Sequence, residues 1–110
     1  MTIYGKSKRN TTRFKRELRI DLKAGGQAVQ IYSIDYSVVG IKVAGIMLDL
    51  TPGEQVELVI EKDGGKVVFH GRVERDDGAH HVNRIGREAN AFFIKILDEG
   101  FPDFVKEMFP

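Results

Sequence analysis

The sequence predicts a mainly all-β fold, six antiparallel strands closed into a small barrel and capped by one short C-terminal α-helix. Three observations carry this. Apolar and polar residues alternate through most of the chain, the period of a half-buried strand. Gly-containing turn signals separate the alternating runs. Only the terminal "GFPDFVKEMFP" changes to a helical spacing.

The period of two starts at Phe14. In "ELRIDLK", Leu18, Ile20 and Leu22 alternate with Arg19, Asp21 and Lys23 as a first strand. The turn "AGGQ" leads into "AVQIYSI", so the first two strands form a hairpin. A short third strand, "VGIKVAG", precedes the turn "TPG" at 51–53. "QVELVIE" follows, with Val56, Leu58 and Ile60 on one face, and "KDGG" marks the next hairpin. In "KVVFHGRVER", Val67, Phe69 and Val73 share a face. The long polar run "DDGAHHVNRIGREAN" reads as a mobile loop. "AFFIKIL" is too apolar for a half-exposed strand and is expected to be covered on both faces. Finally Phe101, Phe104, Val105, Met108 and Phe109 fall at i, i+3, i+4, i+7 and i+8, with Pro102 suited to a first turn. So short a helix needs a docking partner, here the sheet. Closing the sheet removes its exposed edges.

Composition bounds the function. The chain has 110 residues, 42% of them hydrophobic and 30% charged, which suits one globular domain. No apolar run approaches the ~18–20 residues of a membrane span. The first ten residues, "MTIYGKSKRN", lack the apolar core of a signal peptide. With no Cys there are no disulfides or thiolate metal sites, which fits a cytoplasmic location. The net charge of +1 conceals an asymmetry. Up to Lys23 there are eight Lys or Arg against Glu17 and Asp21, a net +6, while the remainder carries nine against fourteen, a net −5. A basic arm on an acidic body points to an anionic partner.

Catalysis finds little support. The chain lacks a phosphate-binding Gly loop, a nucleophile elbow and a His pair at metal spacing on a helix. His80 and His81 are adjacent and point apart on an extended chain, and His70 stands alone in a strand. The chain reads as a non-enzyme without a metal site. The arm is more informative. In "KRNTTRF", Arg9 and Arg13 are two planar donor forks, each able to grip a phosphate or a guanine edge. Downstream, "IDYSVVGIKV" sets Asp35, Ser37 and Gly40 into an otherwise apolar stretch. Asp accepts from amino groups, a Ser hydroxyl donates or accepts, and Gly permits close approach of a ligand. The same residues also suit a simple strand-to-strand turn.

Arg9-Asn-Thr-Thr-Arg13 followed after one hairpin by Asp35-Tyr-Ser37-Val-Val-Gly40 resembles the RxxxR and (D/N)xSxxG signature of the PilZ family, bacterial receptor domains for cyclic di-GMP. The resemblance covers essentially the whole chain and implies a six-stranded antiparallel PilZ-like β-barrel with a C-terminal helix. Residues 1–13 would form a flexible basic arm carrying RxxxR, ordered by ligand, and residues 14–110 the barrel and helix. Arg9 and Arg13 would bind ligand phosphates and guanine edges. Asp35 and Ser37 would contact a guanine and neighbouring phosphates, and Gly40 would keep the surface open. Lys8 stands where an Arg is often found, which bears on how many ligand molecules bind. A degenerate KxxxR, Lys15-Arg-Glu-Leu-Arg19, offers a second register; the literal match and the strand length that follows favour Arg9 and Arg13.

The implied function is a stand-alone cyclic di-GMP receptor and adaptor that relays the signal to an unidentified protein partner in motility, biofilm formation or virulence. No cofactor beyond the ligand, and no DNA or RNA partner, is expected. Two alternatives differ in class. A PilZ-like module could bind a protein partner without nucleotide, though such members usually lack the Arg pair. A barrel for single-stranded nucleic acid needs exposed aromatics in a basic groove, and here most aromatics fit core or helix positions.

Overall fold

The computed structural model describes residues 12–110. Its elements are β1 (Phe14–Lys15), β2 (Arg19–Ala24), β3 (Gln27–Tyr36), β4 (Gly40–Gly45), β5 (Gln55–Lys62), β6 (Gly65–Val82), β7 (Arg87–Ile96) and α1 (Phe101–Met108). All strands join one antiparallel sheet in the order β1-β3-β2-β5-β6-β7-β4, and β4 pairs back onto β3. Strands β2 to β7 therefore close into the expected six-stranded barrel, with β1 as an extra short strand.

The alternating residues point where their period predicts. Ile20, Leu22, Ile31, Ile41, Val43, Leu58, Ile60, Phe69, Val73, Phe92 and Ile94 fill the barrel. Helix α1 adds Phe101, Phe104 and Val105 to the same core. Pro102 lies in its first turn and no side chain caps its start, so docking supplies what capping does not. Phe69 receives Phe101 and Phe104 in edge-on contacts at 5.0 and 4.9 Å between ring centres. In β7 the run Ala91–Ile94 is buried on both faces, as its composition implies.

Two sequence expectations are corrected. The first strand does not run unbroken from Phe14. Residues 14–15 and 19–24 both pair with β3, but the chain leaves the ladder between them. The buried Ser33 hydroxyl fills that gap, accepting from the Leu18 amide at 2.9 Å and donating to the Arg16 carbonyl at 2.6 Å. Nor is the polar run 76–90 a loop. Strand β6 continues to Val82 and β7 begins at Arg87, with Ala79 opposite Asn90 and His81 opposite Glu88. Two irregularities in β6, between Val73 and Arg75 and between Asp76 and Gly78, break its period and hide the strand.

The extended hairpin is anchored by a second apolar cluster. Val82, Ala89 and Ala91 pack with Ile34 and Ala44 on the outer side of β3 and β4. Its tip is fixed by Glu17, whose carboxylate accepts from the Asn83 amide at 2.9 Å and the Arg84 amide at 2.8 Å. The Arg84 guanidinium donates to the Glu17 carbonyl at 3.2 Å and lies 5.5 Å from the Tyr32 ring centre.

At the start of the turn into α1, the His70 amide and ring engage the Asp98 carboxylate, the ring nitrogen Nδ1 at 3.1 Å, while Nε2 lies 3.5 Å from Glu57. The Asp98 hydrogen bond, with its charge, raises the His70 pKa above the ordinary 6.5. Burial pushes Asp98 up, but the His70 hydrogen bonds and charge outweigh it, leaving its pKa below the ordinary 3.8. The imidazolium contribution is complete below about pH 6.5 and is lost as pH rises through the raised folded value. The carboxylate contribution is complete above about pH 3.8 and is lost as pH falls through the lowered one. Thermal melts should therefore show a drop as pH rises above about 6.5 that is smaller in His70→Gln; an equal drop in both proteins would remove His70 as its source.

Candidate functional site

The site grows from the end of β3. Tyr36 points into the core and is fully buried, and burial raises its phenol to about 12, so it stays neutral. The chain then turns over four residues. The Ser37 amide donates to the Gly40 carbonyl at 2.9 Å, and the buried Ser37 hydroxyl accepts from the Val39 and Gly40 amides, each at 3.3 Å. Gly40 then enters β4 against β7. A Cβ there would lie 2.2 Å from the Ile94 carbonyl oxygen and 2.7 Å from the Phe93 ring. Ser37 sets the turn and Gly40 lets two strands and one ring close up.

Asp35 precedes this turn and alternates away from the core residue Tyr36. It is only 7% exposed, and a carboxylate so covered requires a cation or donor. Arg13 answers, with a guanidinium nitrogen 3.9 Å from Asp35 Oδ2 and a side chain that is 42% exposed. Cross-strand register extends the site sideways. Lys15 pairs with Asp35, Asp35 with Lys42, Lys42 with Phe93, and Phe93 with Arg75. Residues directly opposite share a face, so the outer surface carries one carboxylate between two lysines and then an aromatic ring between two cations. Arg75 stacks on Phe93 with its guanidinium carbon 4.7 Å from the ring centre.

The structure thus brings Arg13 to Asp35 and sets Ser37 and Gly40 next to them, with both latter residues buried in the turn. Lys8 and Arg9 lie outside the described residues, as does most of the arm. In the second register, Lys15 flanks Asp35, but Arg16 turns to the Phe109 ring at 5.0 Å. Arg19 lines a separate groove with Asp21, Gln30, Val59, Glu61 and Lys66. A groove of about 280 Å³ borders the site, lined by Lys15, Arg16, Glu17, Ile34, His80, His81 and Asn83. A larger one of about 410 Å³ lies elsewhere, beside His70 and Glu57, and shares no residue with the site. Lys42, Phe93 and Arg75 were not marked by sequence reasoning. Lys42 interrupts the apolar run "GIKV", the one local signal available. Among the described residues no three His, Asp or Glu side chains gather as a metal site, and no helix is long and apolar enough to cross a membrane.

Comparison with known proteins identifies this helix-capped barrel. The model of the PilZ domain matches residues 7–90. The chain belongs to the PilZ domain family. PilZ domains are ligand-binding and adaptor domains rather than enzymes. The fold agrees with solved PilZ structures at low identity. The PilZ domain of YcgR from Escherichia coli, determined with c-di-GMP, is 9% identical with a TM-score of 0.70, covering 90% of this chain and 86% of that one. The PilZ domain of CeSA from a cellulose-synthesizing bacterium is 18% identical with a TM-score of 0.60, covering 84% and 88%. The Bacillus subtilis inhibitor of motility MotI/DgrA is 15% identical with a TM-score of 0.63; 90% of this chain is covered but only 48% of that protein, so this PilZ domain spans about half its length. No curated protein matches the chain.

Proposed function

We propose that this PilZ domain is a cyclic di-GMP receptor that acts as an adaptor, gripping the ligand with Arg9 and Arg13 over the face that carries Asp35. The observation that carries this reading is the Arg13 guanidinium 3.9 Å from a nearly covered Asp35, beside the Ser37–Gly40 turn. An exposed planar fork, already steered by one carboxylate, is poised to take phosphate or a guanine edge without first being desolvated on all sides. Asp35 would then accept from a guanine amino or imino group, and the Ser37 turn would hold Asp35 in place. Lys8 would add positive charge to the arm.

The signal has a physical route onward. Phe14, next to Arg13, stacks on Phe109 at 4.8 Å, and Tyr36 meets the same ring at 5.4 Å. A ligand that repositions Arg13 would disturb the end of α1, altering the surface offered to a protein partner. Motility, surface polysaccharide production or virulence are the outputs such a relay would serve.

Titration calorimetry with cyclic di-GMP tests the reading. Binding is expected, and Arg13→Ala and Arg9→Ala should each weaken it about tenfold or more, the worth of a charge-assisted bidentate contact at ~1–3 kcal/mol. A wild-type titration with neither heat nor chemical-shift change would overturn it and leave the ligand-independent interaction module as the better description.

A further inference from the structure

Strand β6 carries two irregularities within a short stretch. They fall between Val73 and Arg75 and between Asp76 and Gly78, and Gly78 takes φ 75°. A bulge re-aims the side chains beside it. Here Arg75 and Asp77 meet on the outer face, where Arg75 Nε donates to Asp77 Oδ1 at 2.8 Å. Lys42 Nζ lies 3.5 Å from Asp77 Oδ2, with only 17% and 15% of the two side chains exposed. That second oxygen is buried and accepts no hydrogen bond. A largely covered carboxylate with one oxygen unsatisfied is a costly way to neutralise two cations that water could serve. The cations are not placed at random, since Lys42 stands directly opposite Asp35 and Arg75 directly opposite Phe93 in the same row.

We propose that Asp77 is a built-in competitor of the ligand: its carboxylate occupies Lys42 and Arg75, which would otherwise take a phosphate of the nucleotide seated against Asp35. The inference rests on the cyclic di-GMP reading and adds a control to that same site. An arriving phosphate displaces Asp77 toward water, and Arg75 stays oriented by the Phe93 ring it stacks on. The domain then responds at a higher ligand concentration than its cations alone would set.

Calorimetry on the full chain with cyclic di-GMP separates the possibilities. Asp77→Asn should bind about tenfold more tightly than wild type, the scale of one charge-assisted contact. Asp77→Ser, which leaves no amide to hold Arg75, should show the same gain if the Asn side chain disturbs the fold. Glu61→Gln, the same charge change at an exposed position of β5, should leave affinity within about twofold. Adding Lys42→Ala to Asp77→Asn should cancel the gain. Wild type that binds while both Asp77 variants bind no better, or a Glu61→Gln gain of equal size, overturns the competitor and leaves the receptor reading standing. Silence from wild type and from both Asp77 variants overturns the two together.

Discussion

Phe101→Ala is expected to cost about 3–5 kcal/mol of folding stability, read as a lowered urea midpoint with little change in slope. Phe101 is fully buried, meets Phe69 edge-on at 5.0 Å and lies 6.1 Å from Phe104. Removing it leaves a cavity at the junction of helix and barrel, and the eight residues of α1 have no independent stability to fall back on. Phe104 and Val105 would still dock the helix, while the pair of Lys62 with Glu107 at 2.9 Å lies at the surface and holds little. A loss below about 1 kcal/mol would mean that the barrel closes over the vacancy or that α1 is dispensable to it.

Gly40→Ala should be nearly as damaging, for the opposite reason. The added Cβ would sit 2.2 Å from a backbone oxygen of Ile94, which belongs to the neighbouring strand and has no rotamer to escape into. Strands β4 and β7 must separate locally, and overpacking of this kind costs about 1–3 kcal/mol or more. The Phe93 ring, 2.7 Å from the same Cβ, must also shift. Cyclic di-GMP affinity should therefore fall together with the melting temperature. A Gly40→Ala protein that melts like wild type would show that the turn re-forms elsewhere along the strand.

Much of this architecture is legible in the sequence. The alternation in "ELRIDLK" and "QVELVIE", the "KDGG" hairpin and the aromatic spacing of α1 report local periods, which local residues determine. The break at residues 16–18 is not local. It is held by the Ser33 hydroxyl from another strand, and nothing in "KREL" announces it. Strand β6 escaped for a related reason, because its bulges shift the phase of the pattern just where Asp76, Asp77 and Gly78 imitate a loop. At the site, Arg13 and Asp35 are marked by their spacing. Lys42, Phe93 and Arg75 join them only through the register of β3, β4, β7 and β6, which no short window of sequence contains. Ser37 and Gly40 were visible as residues, yet their atoms are committed to the turn and to the β4–β7 contact.

The clasp between Glu17 and the hairpin tip has a consequence for how this surface can vary. The Glu17 carboxylate grips peptide N–H groups, whatever side chains follow them, and the Arg84 guanidinium adds a bond to the Glu17 carbonyl. The tip is thus mounted by its outline as well as by two of its residues. Proline at 83 or 84 would be excluded for want of an N–H, and Gly86, at φ 68°, must keep its left-handed bend. Within those limits Asn83 could be exchanged for other residues without loosening the mount, whereas Arg84 and Ile85 hold it through Glu17, Tyr32 and the second apolar cluster. Position 83 is in effect an interchangeable fitting, whose chemistry can be rewritten while the barrel beneath it stays unaltered.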